Sequence, residues 1–252
     1  FKAWENGRTS AKLNFMFEAS VGGGIPIIRP LNQSLTADEI TKITGILNGT
    51  TNYILTKMSK EGSSYEETLK EAQELGYAER NPEADVEGYD ACRKIAILTS
   101  LAYGSTVNFE EVTTEGISKI STADFKYAEK LGCVVKLLAT SYRRDEKVYV
   151  ITAPFMIDST HPLYNVNDVL NGIYVNGNVL GNVMFFGAGA GKLPTASAVV
   201  ADVVDCVKHK GTNVMTVWAK TKLELGKTDD EVREFFVRIN GDASKDADAV
   251  KA

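Results

Sequence analysis

The sequence predicts an α+β fold in which helices cover one face of a β-sheet. Apolar residues recur at helical spacing through the first half of the chain, whereas short β-branched and aromatic runs separated by turn residues fill the second half. The 252 residues are 44% hydrophobic and 24% charged, a composition typical of a globular protein with an ordinary core. Length and composition thus indicate one large domain or two smaller ones.

The first predicted elements are a strand and a glycine turn. Lys12 to Phe17 alternates polar and apolar residues, which is the period of a half-buried strand, and Gly22 to Gly24 follows. The glycine run lacks the spacing of a dinucleotide fingerprint, and Pro26 keeps the next residues extended. A tight turn explains it most simply. The alternative is a cation site, because clustered glycines expose carbonyl oxygens near the carboxylate of Glu18.

A strand, a polar turn and two helices come next. Ile43 to Leu47 is an apolar run that predicts the strand, and Asn48 to Asn52 predicts the turn. Helical spacing of apolar residues begins at Tyr53. Ser64 to Glu67 has the capping-box pattern of a second helix, and Gly76 stands where a left-handed residue ends it.

The remaining elements are a loop, two helices and three strands. Residues 77–87 predict the loop, and Gly88 to Tyr103 predicts a third helix. The strands are predicted at Val148 to Phe155, Ile173 to Asn176 and Asn178 to Phe186. Asn176-Gly177 predicts a two-residue hairpin turn. A glycine loop, Gly187 to Gly191, then leads into a helix that opens at Pro194.

The charge balance argues against nucleic acid or a membrane surface as partner. There are 28 basic against 33 acidic side chains, and no basic cluster is longer than Arg143-Arg144. Apolar runs such as Ile95 to Leu98 fall far short of the roughly 18 residues that a membrane-spanning helix needs. Cys92, Cys133 and Cys206 show no metal-ligand spacing. The cysteines therefore favour a reducing, cytoplasmic location without structural zinc.

The densest set of ionisable residues lies in the predicted loop and on the third helix. Asp90 and Lys94 are four residues apart and share one helix face. Such a pair is most often a solvated surface pair of little energetic value. Here the helix is strongly apolar, and the loop before it carries Glu79 and Asp85. A lysine near buried surface can lose its proton near neutral pH and act as a general acid or base.

The glycine loop before the last helix also has two interpretations. Glycines let a ligand approach the backbone, and a helix opening at Thr195 would offer free N–H groups. Close packing of the helix on the sheet explains the same glycines equally well. The residues alone leave both interpretations open.

Taken together, these segments resemble the homoserine dehydrogenase family. The resemblance is carried, in the family's order and spacing, by Glu18 to Pro26, Gly45 to Tyr53, Gly76 to Glu79, Asp85 to Lys94, His161 to Leu163 and Gly187 to Asp202. It implies an NAD(P)-dependent oxidoreductase that interconverts L-homoserine and L-aspartate 4-semialdehyde. That reaction lies on the route to threonine, methionine and isoleucine.

The resemblance also assigns roles to residues. Lys94 corresponds to the acid/base at the substrate oxygen, with Asp85 in support. Glu79 and Asp90 correspond to the groups that hold the amino-acid portion, and Thr50 lines the same pocket. The backbone that meets the nicotinamide end of the cofactor corresponds to Gly76, Gly187 and Gly189. The family's sodium site corresponds to Glu18 with the carbonyl oxygens of Val21, Gly23 and Ile25.

The resemblance divides the chain into parts. Residues 17–187 correspond to a substrate-binding catalytic and dimerisation domain. Residues 1–16 and 188–222 correspond to remnants of a Rossmann-type nucleotide-binding domain, and residues 229–252 to the start of a truncated ACT regulatory domain. The glycine fingerprint and one catalytic lysine of the family are expected before Phe1.

Both ends of the chain indicate a fragment. The sequence begins at Phe1 with neither a methionine nor a signal-peptide pattern. At the other end, Phe235 to Ile239 predicts a strand, and Asp246 to Ala252 predicts a helix without an end. We therefore expect a chain cut at both ends, whose binding of the cofactor is impaired.

The resemblance implies a homodimer formed by pairing of sheets. The predicted hairpin strands carry apolar residues on both faces, among them Ile173, Val175, Val179, Met184 and Phe186. One of these faces must be covered. A second copy of the chain is the expected partner, beside a small amino-acid substrate.

Two other functions stay open. The chain could be a non-catalytic module that binds an amino acid and oligomerises. It could also be a related semialdehyde dehydrogenase, a class that acylates an active-site cysteine. No histidine neighbours Cys92, Cys133 or Cys206 in the sequence to activate such a nucleophile.

Overall fold

The computed structural model describes residues 14–144, 146–214, 218–228, 231–239 and 241, and its centre is a six-stranded mixed sheet. The strands are β1 (Ile40–Ile46), β2 (Ser105–Thr106), β3 (Thr113–Thr114), β4 (Cys133–Arg144), β5 (Lys147–Asp158), β6 (Leu170–Gly177), β7 (Gly181–Ala188) and β8 (Ala219–Lys222). The large sheet has the order β3-β5-β4-β1-β6-β7, and β2 pairs with β8 separately. Only β3 and β5 run parallel in the large sheet; its other neighbours are antiparallel.

Helices pack mainly on one face of this sheet. In the described residues the α-helices are α1 (Gly49–Glu61), α2 (Tyr65–Glu74), α3 (Glu83–Val86), α4 (Tyr89–Tyr103), α5 (Thr122–Lys130) and α6 (Lys192–Lys208). Ile54 of α1 and Leu98 of α4 are buried in one core with Ile43 and Ile173 of the sheet. The predicted α+β fold is thus confirmed. None of the helices in the described part is long and apolar enough to span a membrane.

The second face of the sheet is covered only in part. Ile46 and Leu138 form a smaller core with Leu163 and Val166, which come from the loop between β5 and β6. Further along this face, towards the edge strand β7, Phe186 is 55% exposed. The two faces of the sheet therefore differ in how much of their apolar surface is covered.

Capping residues and apolar periodicity locate most helices correctly. Ser64 and Glu67 form the reciprocal capping box at the start of α2, and Gly76 lies just beyond its end with a left-handed φ of 76°. α4 ends at the left-handed Gly104. The predicted strands overlap β1, β5, β6 and β7. The last helix starts at Lys192, two residues before the predicted start.

The predicted polar turn at Asn48 to Asn52 is wrong. Residues 49–52 are the first turn of α1, because the side chain of Asn48 accepts a hydrogen bond from Thr51 N and caps the helix. Within the predicted loop at residues 77–87, the short helix α3 also forms. Both changes move polar residues from loops onto helix ends.

The predicted strand at Lys12 to Phe17 is absent from its described part, residues 14–17. Asn14 makes its hydrogen bonds through its side chain instead, to the carbonyls of His209 and Thr212 and to Val214 N. These contacts bind the segment to the end of α6 rather than to a neighbouring strand.

The hairpin turn lies at residues 178–180 and so begins two residues after the predicted turn. Asn176 and Gly177 belong to β6, and Gly177 pairs with Gly181, so residues 178–180 form a three-residue loop. The carboxylate of Asp38 accepts hydrogen bonds from the backbone N–H groups of Val179 and Leu180. A side chain from a distant loop thus stabilises this turn.

The predicted strand at Phe235 to Ile239 is also absent. Its contacts to α5 are made by side chains: Arg238 binds Asp124, and the ring of Phe236 lies beside that of Tyr127. The helix predicted at Asp246 to Ala252 lies outside the described residues.

Candidate active site

Lys94 lies in the first turns of α4, within a half-buried cluster of polar groups. Its Nζ donates hydrogen bonds to Asp90 Oδ2 at 2.6 Å and to the carbonyl of Leu47 at 2.9 Å. The Lys94 side chain is 20% exposed and that of Asp90 is 31% exposed. The pair is therefore not the solvated surface pair that its spacing alone would allow, since a carbonyl at the end of β1 also fixes the ammonium group.

Asp85 reaches the same cluster from α3. Its Oδ1 accepts a hydrogen bond of 2.8 Å from Asn48 Nδ2. Burial raises the pKa of Asp85; the hydrogen bond from Asn48 and the charge of Lys94 act in the opposite direction, and the charges of Asp90 and Glu79 add to the rise. The carboxylate that directly contacts Lys94 is that of Asp90, while Asp85 is connected to it through Asn48.

Asn48 is the site residue that the sequence analysis missed. Its Nδ2 donates to both Asp85 Oδ1 and Asp90 Oδ2, the second at 3.0 Å. It is also the N-cap of α1. The available signal was an Asn directly before a segment with helical spacing, a pattern typical of an N-cap.

Thr50 and Glu79 lie at the exposed margin of the cluster. Thr50 Oγ1 donates a hydrogen bond of 2.6 Å to the carbonyl of Tyr77, which binds the first turn of α1 to the loop that carries Glu79. The side chain of Glu79 is exposed, and its charge is near enough to raise the pKa of Asp85. The structure therefore brings all five predicted substrate and catalytic residues to one end of α1, α3 and α4.

Three glycines predicted to meet a cofactor differ in their surroundings. Gly76 is exposed, and a side chain there would meet open space, so its left-handed φ is what requires glycine. A Cβ at Gly187 would make only ordinary contact with Ile25, at 3.6 Å. A Cβ at Gly189 would overlap the amide of Asn171, at 2.0 Å from its Cγ. Close packing therefore accounts for Gly189, while the backbone at Gly76 is open to a ligand.

The predicted cation site is occupied in part by the protein's own hydrogen bonds. The buried carboxylate of Glu18 accepts hydrogen bonds from the backbone N–H groups of Ile27, Ile28 and Arg29, at 2.6 to 2.8 Å. It thus caps the helical turn that follows, and these three hydrogen bonds leave one lone pair of Glu18 Oε2 for a further ligand. Across the described residues, no group of three or more His, Cys, Asp or Glu side chains could hold a metal ion.

The arrangement is suited to proton transfer next to a bound cationic group. A partly exposed ammonium, held at two points, can donate a proton to an oxygen where negative charge develops. The half-buried carboxylates of Asp85 and Asp90, with Glu79 exposed at the margin of the cluster, can orient a ligand that carries an ammonium group. The cluster thus has the components for acid/base chemistry on an amino acid.

Comparison with known proteins points to one family. The family model for homoserine dehydrogenase matches residues 26–204. A homoserine dehydrogenase of Synechocystis is 53% identical over 196 residues, which cover 76% of this chain and 45% of that protein. One from Bacillus subtilis is 48% identical over 208 residues, which cover 82% of this chain and 47% of that protein. The chain thus spans about half the length of the curated relatives it matches.

Solved structures agree. The crystal structure of a homoserine dehydrogenase from Thiobacillus denitrificans matches with a TM-score of 0.77 and 41% identity, over 82% of this chain and 51% of that one. A hyperthermophilic archaeal homoserine dehydrogenase in complex with NADPH matches with a TM-score of 0.70 and 30% identity, over 82% of this chain and 59% of that one. The similarity therefore covers most of this chain and a little over half of each solved protein.

Proposed function

The chain belongs to the homoserine dehydrogenase family, and we propose that it forms the substrate site of an NAD(P)-dependent enzyme that interconverts L-homoserine and L-aspartate 4-semialdehyde. The observation that carries the proposal is the ammonium group of Lys94, held between Asp90 and the Leu47 carbonyl beside the carboxylate of Asp85. The proposed setting is threonine, methionine and isoleucine biosynthesis in the cytoplasm.

Lys94 is proposed to move the proton. In the reducing direction its Nζ donates a proton to the substrate oxygen as negative charge develops there, and its positive charge lowers the barrier. The nicotinamide cofactor supplies the hydride when it is bound. Because the Lys94 side chain is 20% exposed, water can return the proton after each turnover.

The carboxylates are proposed to orient the substrate. Glu79 lies exposed at the margin of the cluster, where it can pair with the ammonium group of homoserine. The carboxylate of Asp90 can accept hydrogen bonds from that ammonium group and from Lys94 at the same time. Thr50 holds the neighbouring loop through its hydrogen bond to the carbonyl of Tyr77. Holding the reacting groups in place in this way lowers the barrier by several kcal/mol in well-oriented systems, up to about 7–11 kcal/mol.

The cofactor is proposed to approach from the side of Gly76 and Gly187. The exposed backbone at Gly76 leaves open space beside it, and the related archaeal enzyme was solved with NADPH. On α6, residues 199, 200, 203, 204 and 207 are all valine and all at least 45% exposed. Such an apolar helix face needs a cover, and we propose that the rest of a nucleotide-binding domain packs there, with residues 1–16 and 188–222 as its parts in this chain.

A homodimer is proposed through the second face of the sheet. Of the apolar residues predicted on the two faces of the hairpin, Ile173 and Val175 face the helices and are buried in the main core. Met184 and Phe186 of the edge strand β7 and Val179 of the adjoining loop remain exposed. A second copy that pairs with this face would bury them.

A sodium ion is proposed at the glycine turn, with the Glu18 carboxylate and backbone carbonyls as ligands. The Glu18 carboxylate accepts three N–H groups and keeps one lone pair of Oε2, so the ion would be held by Glu18 together with the carbonyl oxygens of Val21, Gly23 and Ile25. Stabilisation against heat by NaCl, but not by the same concentration of choline chloride, would support this part of the proposal.

The surroundings of Cys92 argue against this residue as the nucleophile of the acylating alternative. Cys92 is buried, its Sγ donates to the carbonyl of Phe109, and burial raises the pKa of its thiol. A thiol in that state is a poor nucleophile. Cys133 and Cys206 are free thiols of intermediate exposure.

Turnover of homoserine tests the proposal. The natural protein that carries this sequence is incubated with L-homoserine and NAD+ or NADP+, and reduced nicotinamide is followed by its absorbance. We expect homoserine-dependent reduction that survives alkylation of exposed thiols. The acylating class adds its thiol to an aldehyde and cannot oxidise the alcohol of homoserine, so reduction seen only in a parallel incubation with L-aspartate 4-semialdehyde, and lost on alkylation, would favour that class. Binding of homoserine in calorimetry without any turnover would favour the non-catalytic module.

A further inference from the structure

The side-chain amide of Asn48 connects more parts of the site than any single predicted residue. Its Nδ2 donates to Asp85 Oδ1 at 2.8 Å and to Asp90 Oδ2 at 3.0 Å. Its Oδ1 accepts from Thr51 N at 2.9 Å and from Thr51 Oγ1 at 3.1 Å. Asn48 is 7% exposed. Both hydrogens of the amide are thus used on carboxylates, and its oxygen is used on the first turn of α1.

The Lys94 ammonium depends on the same short stretch of chain. Asp90 Oδ2 accepts from Asn48 Nδ2 and also from Lys94 Nζ. The carbonyl of Leu47, the residue before Asn48, accepts the second hydrogen bond of Lys94. Residues 47 and 48 therefore hold the ammonium directly and hold its counter-charge through the amide.

We propose that Asn48 is a positioning residue for proton transfer by Lys94: its amide bridges Asp85 and Asp90 and thereby fixes where the Lys94 ammonium lies. The inference rests on the proposed function in one respect, that Lys94 is the group that moves the proton. It does not depend on which of the carboxylates contacts the substrate.

The physical reason is repulsion between neighbouring carboxylates. Two ionised acids close together disfavour each other's charge unless donors are shared between them. The groups that face Asp85 are Asn48, Asp90, Lys94 and Glu79. Of these, Asn48 is the neutral one, so it stabilises the charge of Asp85 without altering the net charge of the site.

Two substitutions separate this role from helix capping. Asn48→Ser keeps a good N-cap, since serine can accept from Thr51 N, but its side chain is too short to bridge two carboxylates. Asn48→Asp keeps the shape and the cap but replaces the donor by an acceptor. Asn108 offers a matched control, because it caps the helical turn Phe109–Glu111 and donates to the Glu111 carboxylate far along the chain.

The experiment measures kcat and KM for homoserine against pH in the natural protein, together with unfolding by heat. We expect Asn48→Ser to lower kcat by about 10- to 100-fold, the scale of a misplaced catalytic group. The acidic limb of the kcat profile should move to higher pH, because Asp85 takes up a proton more readily. Asn48→Asp should have the larger effect, and Asn108→Ser should leave both parameters unchanged.

A second readout does not need turnover. Carboxyl-carbon NMR of the chain should show Asp85 titrating at higher pH in Asn48→Ser than in the parent. If the parent fails to oxidise homoserine, the proposed function is lost while this titration still decides the role of Asn48. An unmoved Asp85 titration, or a kcat within twofold of the parent, would overturn the inference. A lower melting temperature with an unmoved titration would also overturn it, in favour of capping alone.

Discussion

Lys94 and Lys136 both bring an ammonium group to the start of α1, but their partners differ. Lys94 contacts the carboxylate of Asp90 and is 20% exposed. Lys136, in the middle of β4, is 2% exposed and donates to the carbonyl of Val166 and to the side-chain oxygens of Asn52 and Asn167. Within the part of the chain that the structure describes, no carboxylate lies within hydrogen-bond distance of Lys136.

The difference teaches what each lysine is suited for. Burial without a paired charge lowers the pKa of Lys136 to about 8, although the charge of Asp168 opposes this. Sealed from ligands, Lys136 holds the loop before β6 against α1, where Asn52 also donates to the carbonyls of Val166, Asp168 and Leu170. Lys94 combines a counter-charge with access to solvent, which a group that transfers protons needs.

The largest effect is expected from removing Lys94. Lys94→Ala in the natural protein should lower kcat by about two to four orders of magnitude, the usual scale for a lost proton-transfer group, and leave unfolding by heat nearly unchanged. Steady-state kinetics with homoserine checks this. Lys70→Ala is the matched control, since Lys70 and Glu74 form an exposed pair with the same spacing. Near-normal turnover by Lys94→Ala would remove the contrast between the two lysines.

Lys136 should make the free energy of unfolding depend on alkaline pH. Its folded pKa of about 8 lies below the ordinary value of 10.5, so the unfolded chain binds more protons between these values and stability rises with pH there. Each pH unit of difference corresponds to about 1.4 kcal/mol, so the gain approaches about 3 kcal/mol. Urea unfolding of the chain at intervals from pH 7.5 to pH 10 measures it.

Lys136→Met serves as the comparison for that measurement. It lacks the titrating group, so its stability should rise less over the same pH range, whatever its absolute value. If the unfolding free energies of the two proteins rose equally with pH, the pKa of Lys136 would not be lowered in the folded state. The contrast with Lys94 would then fail.

The smallest effect is expected from Asp168→Asn, which changes one charge near Lys136 and should leave the fold intact. Asp168 has a left-handed φ of 58°, a conformation that Asn tolerates as well as Asp. Asp168→Asn removes the charge that raises the pKa of Lys136, so that pKa should fall slightly below about 8. Carbon NMR of the lysine side chains checks this, with Lys94 as internal reference. A rise instead of a fall would show that Asp168 does not act on Lys136 by its charge.

The sequence predicted those helices whose ends are marked by capping residues or left-handed glycines. The capping box at Ser64 and the left-handed glycines at positions 76 and 104 located α2 and α4. The spacing of Asp90 and Lys94 predicted a shared helix face. What it could not supply was the third partner, the Leu47 carbonyl, because that contact joins residues 47 apart in sequence.

The parts that sequence reasoning missed depend on distant contacts. The sequence predicts no strand at Cys133–Arg144, because Lys136 interrupts the apolar run there; the acceptors that allow this lysine to be buried come from Asn52 and the loop before β6. The prediction of a two-residue turn at Asn176-Gly177 is wrong because the Asp38 carboxylate accepts hydrogen bonds from Val179 N and Leu180 N, which stabilises a loop at residues 178–180 instead. In both cases a polar side chain from elsewhere in the chain outweighs local propensity.

The capping carboxylate of Glu18 also has a mechanical consequence. Besides its three bonds to residues 27–29, the backbone N–H of Glu18 donates to Asp202 of α6 at 2.9 Å, and Arg29 pairs with the same aspartate at 2.8 Å. The glycine turn at residues 22–24 is therefore enclosed in a ring of bonds that closes on α6. Because Gly24 N also donates to the carbonyl of Ala188 at the end of β7, a displacement of α6 relative to the sheet would have to break hydrogen bonds on one side of this turn or the other.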